Sequence, residues 1–385
     1  MKILWVNSGL GRTLSNTRLF GMPPALWKLG DESIVLIGGR AKSPLPDYFC
    51  SLPVPFSRLK IYRLTVALLL PYLCIRHKPD ILLTDWMSAE LTKLAVLFRR
   101  LGLLKCKFVH DVRTVPVKED AGKSWRIYAG SLEYAKANFD GITTITVPLR
   151  DEITSKFGIP AQAMAVWTSG VDIEHFRPMD ASEPKRKLGL EGKFVAFYHG
   201  NVQQNRGVAE LVEAMDLLRD LPEVFLLIVG GGHEWATLER IKQEKRLERV
   251  ILQPGVPYAD IPKWIAMADL CIVPLPDHPW WRVSSPLKLM EYLAMGKPVL
   301  LTEMQAHRAV MPSDDDAFYV SRCGPQEFAN GIRHAINERH RFAKLGQKGR
   351  RKAIEELTWE GQAAILKRYL ENVLTGEIQL KGERD

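Results

Sequence analysis

Two periods alternate along the chain. Apolar runs of strand length, such as KILWV at the start, ILLT at 81–84 and LCIV at 270–273, are separated by longer segments whose apolar residues recur every three or four positions. An unbroken short apolar run marks a strand covered on both faces, and its repetition between helical segments predicts parallel α/β sheets. In the first half the pattern predicts strands at 3–6, 34–37, 81–84, 108–110, 142–147 and 164–167, with helices at 17–29, 61–77, 89–101, 124–138 and 148–157. In the second half it predicts strands at 194–198, 225–229, 250–252, 270–273 and 299–301, with helices at 208–218, 233–246, 261–267 and 287–295. From residue 325 onward the period is helical, ending in a helix over 359–374. The segment FRPMDASEPKRKL at 176–188 is charged, proline-bearing and without an apolar period, which predicts an interdomain linker. At 385 residues the chain exceeds one ordinary core, so two domains are expected.

Composition narrows the class. Hydrophobic residues at 46% and charged residues at 25% describe a globular protein. No apolar run approaches the roughly 18 residues of a membrane span. The candidate at 64–75 contains Pro71, and its face is expected to be core. The opening MKILWVNSG lacks the long apolar region and cleavage site of a signal peptide, so a cytoplasmic location is expected. Five scattered cysteines without a CxxC pair indicate neither a disulfide framework nor a zinc site.

Charge is distributed unevenly. The net +9 divides into 24 Lys/Arg against 16 Asp/Glu in residues 1–180, and 29 against 28 in 181–385. No acidic residue occurs over 48–79. A basic first half suggests an anionic partner; an anionic membrane surface fits, placing the protein peripherally on the inner face of the cell membrane, whereas no recognised module supports nucleic-acid binding.

The richest stretch is SSPLKLMEYLAMGKPVLL at 284–301. Ser284, Ser285 and Pro286 are helix-start residues; Leu287, Met290, Leu293 and Ala294 recur at helical spacing, and Gly296 stops the helix. Backbone amides at such a start favour an anion beside Ser285, Pro286, Leu287 and Lys288, and Glu291 lies one turn further in, suited to a sugar hydroxyl. The same pattern also describes an ordinary capped core helix with an exposed glutamate. Arg206, before Gly207 at the start of another helix, fits either a diphosphate or a solvated surface position. Gly230, Gly231 and Gly232 do not make GxGxxG and read as a tight turn. Gly9 and Gly11 after the first strand would admit a close ligand. Asp314, Asp315 and Asp316 form a poor metal motif in a surface loop, and no metal site is expected.

Seven segments, met in order, carry a resemblance: VNSGLGR, FVHDVR at 108–113, TSGVDIEHFRP at 168–178, FYHGNVQQNRGVAEL at 197–211, LLIVGGGHEWATLE at 226–239, VILQPGVPYADIPKWIAMADLCIVPL at 250–275 and the SSPLK stretch. The chain resembles retaining glycosyltransferase family 4. The resemblance implies a GT-B fold: α/β, with two Rossmann-like doubly wound parallel-sheet domains facing an interdomain cleft. The domains would be residues 1–178 for the acceptor, with the helix 359–374 packing back on them, and 189–358 for the nucleotide sugar. It further implies metal-independent transfer of a sugar from a nucleoside diphosphate sugar, UDP- or GDP-linked, to a hydroxyl of an acceptor glycan or lipid-linked saccharide, in bacterial cell-surface polysaccharide or glycolipid synthesis, with no cofactor.

By the same resemblance His110, Arg206, Lys288 and Glu291 would be catalytic. Gly9, Gly11, Gly200, Asn201, Gly255, Val256, Tyr258, Ser285, Pro286 and Leu287 would join Arg206, Lys288 and Glu291 around the donor, and Asp111 and Arg113 would face the acceptor. A lone strand-end histidine is more often structural, and Asp111 with Arg113 also reads as an ion pair. Two departures stand out: Asn201 where the family commonly has Arg, and Val283 where the first of two glutamates would fall. They leave open a non-catalytic nucleotide-sugar-binding scaffold, and the shared sheets leave open a GT-B epimerase or phosphorylase.

Overall fold

The computed structural model describes residues 1–10, 17–39, 41, 44–52, 54, 58–117, 122–378 and 380. They form two units. The first comprises Met1–Gly170, Val283–Ser285 and Trp359–Asp385; the second comprises Val171–Arg282 and Pro286–Thr358.

In the first unit, strands β1 (Lys2–Leu10), β2 (Glu32–Gly38), β3 (Phe49–Leu52), β4 (Ile81–Thr84), β5 (Lys107–Val112), β6 (Gly141–Thr144) and β7 (Met164–Val166) form a sheet of order β3-β2-β1-β4-β5-β6-β7. Every pairing is parallel. Every residue of β4 and β6 is buried, which is why their sequences do not alternate. In the second unit, β8 (Phe194–Asn201), β9 (Val224–Gly231), β10 (Val250–Pro254), β11 (Leu270–Val273), β12 (Val299–Thr302) and β13 (Phe318–Val320) form a parallel sheet of order β10-β9-β8-β11-β12-β13. Its core joins Phe194, Tyr198, Leu211, Ile228, Leu270 and Phe328. Strand order reverses between β1 and β4, and again between β8 and β11; such points open a crevice at the carboxyl ends of the strands.

The structure corrects several expectations. The edge strands β3 and β13 are too short to carry a readable period. The expected strand 142–147 stops at Thr144, because the Thr146 hydroxyl accepts the Leu149 N–H at 3.3 Å and starts a helix at Val147. The expected linker 176–188 lies inside the second unit, with Phe176 fully buried and a helix over Ser182–Lys187; the first unit's main segment ends at Gly170. The run 64–75 is core on one side only, since Leu64, Leu68, Tyr72 and Ile75 are exposed.

The closing helix, Trp359–Thr375, belongs to the first unit. Its Tyr369 hydroxyl accepts the Ile142 N–H at 2.8 Å and donates to the Ala163 carbonyl at 2.7 Å, tying the helix to β6 and to the turn before β7. Gly21 lets the helix Arg18–Lys28 approach it, since a Cβ there would meet the Trp359 ring at 2.3 Å. Among the described residues no helix is long and apolar enough to cross a membrane.

Candidate nucleotide-sugar site

Strand β8 ends in His199, Gly200 and Asn201 at the reversal point of the second sheet, and glycines let neighbouring backbone close around it. A Cβ on Gly230 would stand 2.0 Å from the Gly200 carbonyl oxygen, and one on Gly232 would stand 2.0 Å from that of Val202. Gly207 adopts φ +73, and a Cβ there would meet the Pro274 carbonyl oxygen at 1.9 Å, so the turn carrying Arg206 admits only glycine at this step. Trp281 supports that turn: its indole N–H donates to the Asn205 carbonyl at 2.8 Å, and the Arg206 guanidinium lies 4.9 Å from its ring centroid.

Helix Leu287–Ala294 brings two charges to the same end of β8. Helical spacing places Lys288 and Glu291 on one face, and both are buried. The Lys288 amine stands 5.1 Å from the Tyr198 ring centroid, and a Cβ on Gly200 would meet its Cε at 3.3 Å. Burial pulls the Lys288 pKa down to about 7; the Arg206 charge adds to the shift and Glu291 opposes it.

Glu291 is held on both oxygens. Its Oε2 lies 2.8 Å from His199 Nε2, and its Oε1 accepts the Tyr258 hydroxyl at 3.2 Å. Tyr292 Oη accepts the His199 backbone N–H at 3.0 Å and lies 3.1 Å from His199 Nδ1. A carboxylate only accepts, so Nε2–H donates to Glu291, and in the neutral ring Nδ1 accepts the Tyr292 hydroxyl proton. Tyr258 stacks on His175, with centroids 5.4 Å apart, and meets the edge of Phe176 at 5.5 Å. Although half of the Tyr258 side chain is exposed, desolvation where its hydroxyl meets Glu291, then the Glu291 charge, push the phenol far up, so it stays a donor.

The remaining residues fall into place unevenly. Gly255 and Tyr258 are exposed and Val256 is half-buried, after β10. Asn201 is exposed at the end of β8. Helix Leu287–Ala294 begins after Pro286 with no side-chain cap: the Ser285 hydroxyl is 2.8 Å from that of Thr168 and 3.3 Å from the Ser169 N–H. The expected serine cap is therefore absent. Val283 is buried, and its carbonyl accepts the Thr146 hydroxyl at 2.8 Å.

In the first unit Gly9 lies near the end of β1, and Gly11 is outside the described residues. His110 is fully buried, with Nδ1 3.2 Å from the Thr84 hydroxyl and Nε2 3.4 Å from that of Ser131. Burial pulls its pKa to about 3. This placement corrects the catalytic expectation: the imidazole is a neutral core group linking β4, β5 and the helix Gly122–Asn138. Asp111 is equally enclosed, paired with Arg18 and accepting the Thr143 hydroxyl at 2.7 Å, so it is not open to an acceptor. Its ion-pair partner is Arg18 rather than Arg113. Arg113 is half-buried, donates to the Trp167 carbonyl and lies 3.5 Å from that ring's centroid.

His199, Tyr292 and Trp281 were not singled out from the sequence. The available signal was adjacency, since His199 precedes Gly200 at a strand end and Tyr292 follows Glu291.

Two family models divide the chain: Glycosyltransferase Family 4 matches residues 22–175, and Glycosyl transferases group 1 matches 180–352. EpsD of Bacillus subtilis (strain 168), itself provisionally named a glycosyltransferase, is 24% identical over 372 residues, covering 92% of this chain and 94% of its own. The GDP-mannose-dependent alpha-(1-6)-phosphatidylinositol monomannoside mannosyltransferase of Mycolicibacterium smegmatis is 25% identical over 237 residues, 60% of this chain and 62% of that one. Among solved structures, sucrose-phosphate synthase from Thermosynechococcus elongatus superposes with a TM-score of 0.77 at 17% identity, covering 97% and 99% of the two chains. Anabaena HepE in complex with UDP gives 0.76 at 17% identity, covering 97% and 100%. Matched by both models across most of its length, the chain belongs to the group 1 glycosyltransferases of family 4 and has their GT-B fold.

Proposed function

We propose that this glycosyltransferase is retaining and metal-independent, and moves a hexosyl group from a UDP- or GDP-sugar to a hydroxyl of a glycan or lipid-linked saccharide in bacterial cell-surface polysaccharide or glycolipid synthesis. The observation that carries the reading is the grouping of Arg206, Lys288 and Glu291 around the end of β8. Arg206 and Lys288 offer positive charge to a diphosphate, whose charge grows as the sugar bond breaks. Glu291, already holding one Tyr258 hydroxyl, offers its carboxylate to ribose hydroxyls. Gly255, where a Cβ would meet nothing nearer than the Gly230 carbonyl oxygen at 3.8 Å, leaves room for the nucleotide against backbone.

Complexes of the HepE neighbour with UDP and UDP-glucose favour a uridine donor, and the name of the mycobacterial relative favours a guanosine one. A colanic acid biosynthesis protein of Escherichia coli, 27% identical over 169 residues, supports a polysaccharide role. Metal independence is supported by Arg206 and Lys288, which offer the diphosphate the positive charge a divalent ion would otherwise bring. Incubation with UDP- and GDP-sugars and a saccharide acceptor, in the presence of chelator, tests the reading by NMR. Retention of the donor's anomeric configuration in the product is expected. An inverted product, or turnover only with added divalent cation, contradicts it.

A further inference from the structure

Helix Leu59–His77 presents two faces of opposite use. Tyr62, Val66, Leu70, Leu73 and Cys74 are buried in the first unit and anchor the helix. On the other side Leu64, Leu68, Tyr72 and Ile75 are exposed by 61, 60, 54 and 51%. At 3.6 residues per turn these four fall within one arc of roughly 80°, with Lys60 and Arg76 on its two borders. Lys60 and Arg76 are exposed, and with Lys78 they make no ion pair among the described residues. The helix Lys93–Arg100 packs beside it and is followed by further exposed apolar side chains at Leu101 and Leu103. Isolated exposed leucines are ordinary, but an apolar row along one helix with a basic residue on each border is not.

We propose that this row docks the enzyme on an anionic lipid surface, the four apolar side chains entering the interface while Lys60, Arg76 and Lys78 meet lipid phosphates. Charge selects this occupant over a second copy of the chain. A twofold pairing through the row would bring the same basic residues together, with no acidic residue over 48–79 to meet them. Anionic headgroups supply that complement to basic residues near the surface. The helix contains Pro71, has its opposite face committed to the core and does not span, so it would lie in the plane of the interface. The docking claim is independent of which sugar the enzyme transfers.

Vesicle sedimentation of the full chain tests it, using phosphatidylcholine alone and phosphatidylcholine mixed with phosphatidylglycerol. Binding is expected only with the anionic vesicles, and is expected to weaken with salt. Lys60→Glu with Arg76→Glu, and separately Leu64→Ser with Leu68→Ser, should each lower partitioning on the order of tenfold. Lys263→Glu with Arg240→Glu, on the second unit, should leave it unchanged. Thermal midpoint and binding of a nucleotide sugar in solution should match wild type in all three double variants, separating docking from folding and from the donor site. Should a variant misfold, the wild-type lipid and salt dependence still decides the claim. Equal binding to neutral vesicles, no binding to anionic ones, or a dimer by light scattering that the serine variant dissolves would overturn it.

Discussion

His199 Nε2 lies 2.8 Å from Glu291 Oε2, so the last turn of β8 fixes a carboxylate carried by helix Leu287–Ala294. A carboxylate only accepts, so this contact is a donation from the imidazole, and Tyr292, one residue past Glu291, meets the ring at Nδ1. His199 is therefore a positioning residue. His199→Ala should raise the donor KM, by the equivalent of roughly 1–2 kcal/mol, with a smaller change in kcat. His199→Gln, which retains a donor, should recover much of the loss. Glu291→Gln should lose about 1.5–3 kcal/mol in transition-state binding. Steady-state kinetics with one donor checks the series, and an unchanged Glu291→Gln would remove this carboxylate from the site.

Arg206 faces the part common to all nucleotide sugars. Arg206→Ala should therefore reduce kcat with every accepted donor while leaving the preference among sugars intact. Competition between two donors in one reaction measures both quantities together. A changed sugar ratio at an unchanged rate would place Arg206 on the sugar instead.

Lys288 carries opposite demands of stability and function. Its amine, held near pH 7 in the free protein, should take up a proton when a diphosphate binds at higher pH. Affinity for a nucleotide sugar should consequently be flat below about pH 7 and fall as pH rises above it, by up to tenfold per unit until the raised bound-state pKa is passed. Lys288→Met should abolish that slope and weaken binding. Because desolvation of this cation opposes folding, its removal should also stabilise the ligand-free protein. Calorimetric titration across pH and urea unfolding test the two halves.

Burial lowers His110 and His307 in the same direction as Lys288, and for them the effect is on stability. Burial holds them neutral, at about 3 and about 4, whereas an unfolded histidine takes up its proton near 6.5. The unfolded chain binds more protons between those values, so stability should be full above pH 6.5 and decline on acidification toward pH 4. Each group contributes at most about 1.4 kcal/mol per pH unit. In His110→Asn and His307→Asn, unfolding free energy should depend less steeply on pH over that window. His110→Asn should also keep its ability to bind donor, because the ring lies in the first unit's core.

Much of the donor site was legible because it rests on local rules. The proline and apolar spacing of residues 286–294 define one helix, and Lys288 and Glu291 share its face by three-residue spacing alone. The catalytic role of His110 came from resemblance alone, whereas its strand-end position favoured a structural one, and the ring turns between Thr84 and Ser131. The exposed row on helix Leu59–His77 was hidden for a different reason: a continuous apolar run shows no period, so the face turned to solvent resembles the face turned to the sheet. Phe176 shows the reverse case, a single aromatic anchor that commits a charged stretch to the second unit.

Arg206, Lys288 and Glu291 are proposed to form together one nucleotide-sugar site. Isothermal titration of wild-type protein with UDP-glucose and GDP-mannose, repeated with Glu291→Gln and Arg206→Ala, tests it most directly. Saturable one-to-one binding of at least one donor is expected, weakened about tenfold or more by each substitution, equivalent to at least about 1.4 kcal/mol. Binding of a donor that neither substitution alters would contradict it.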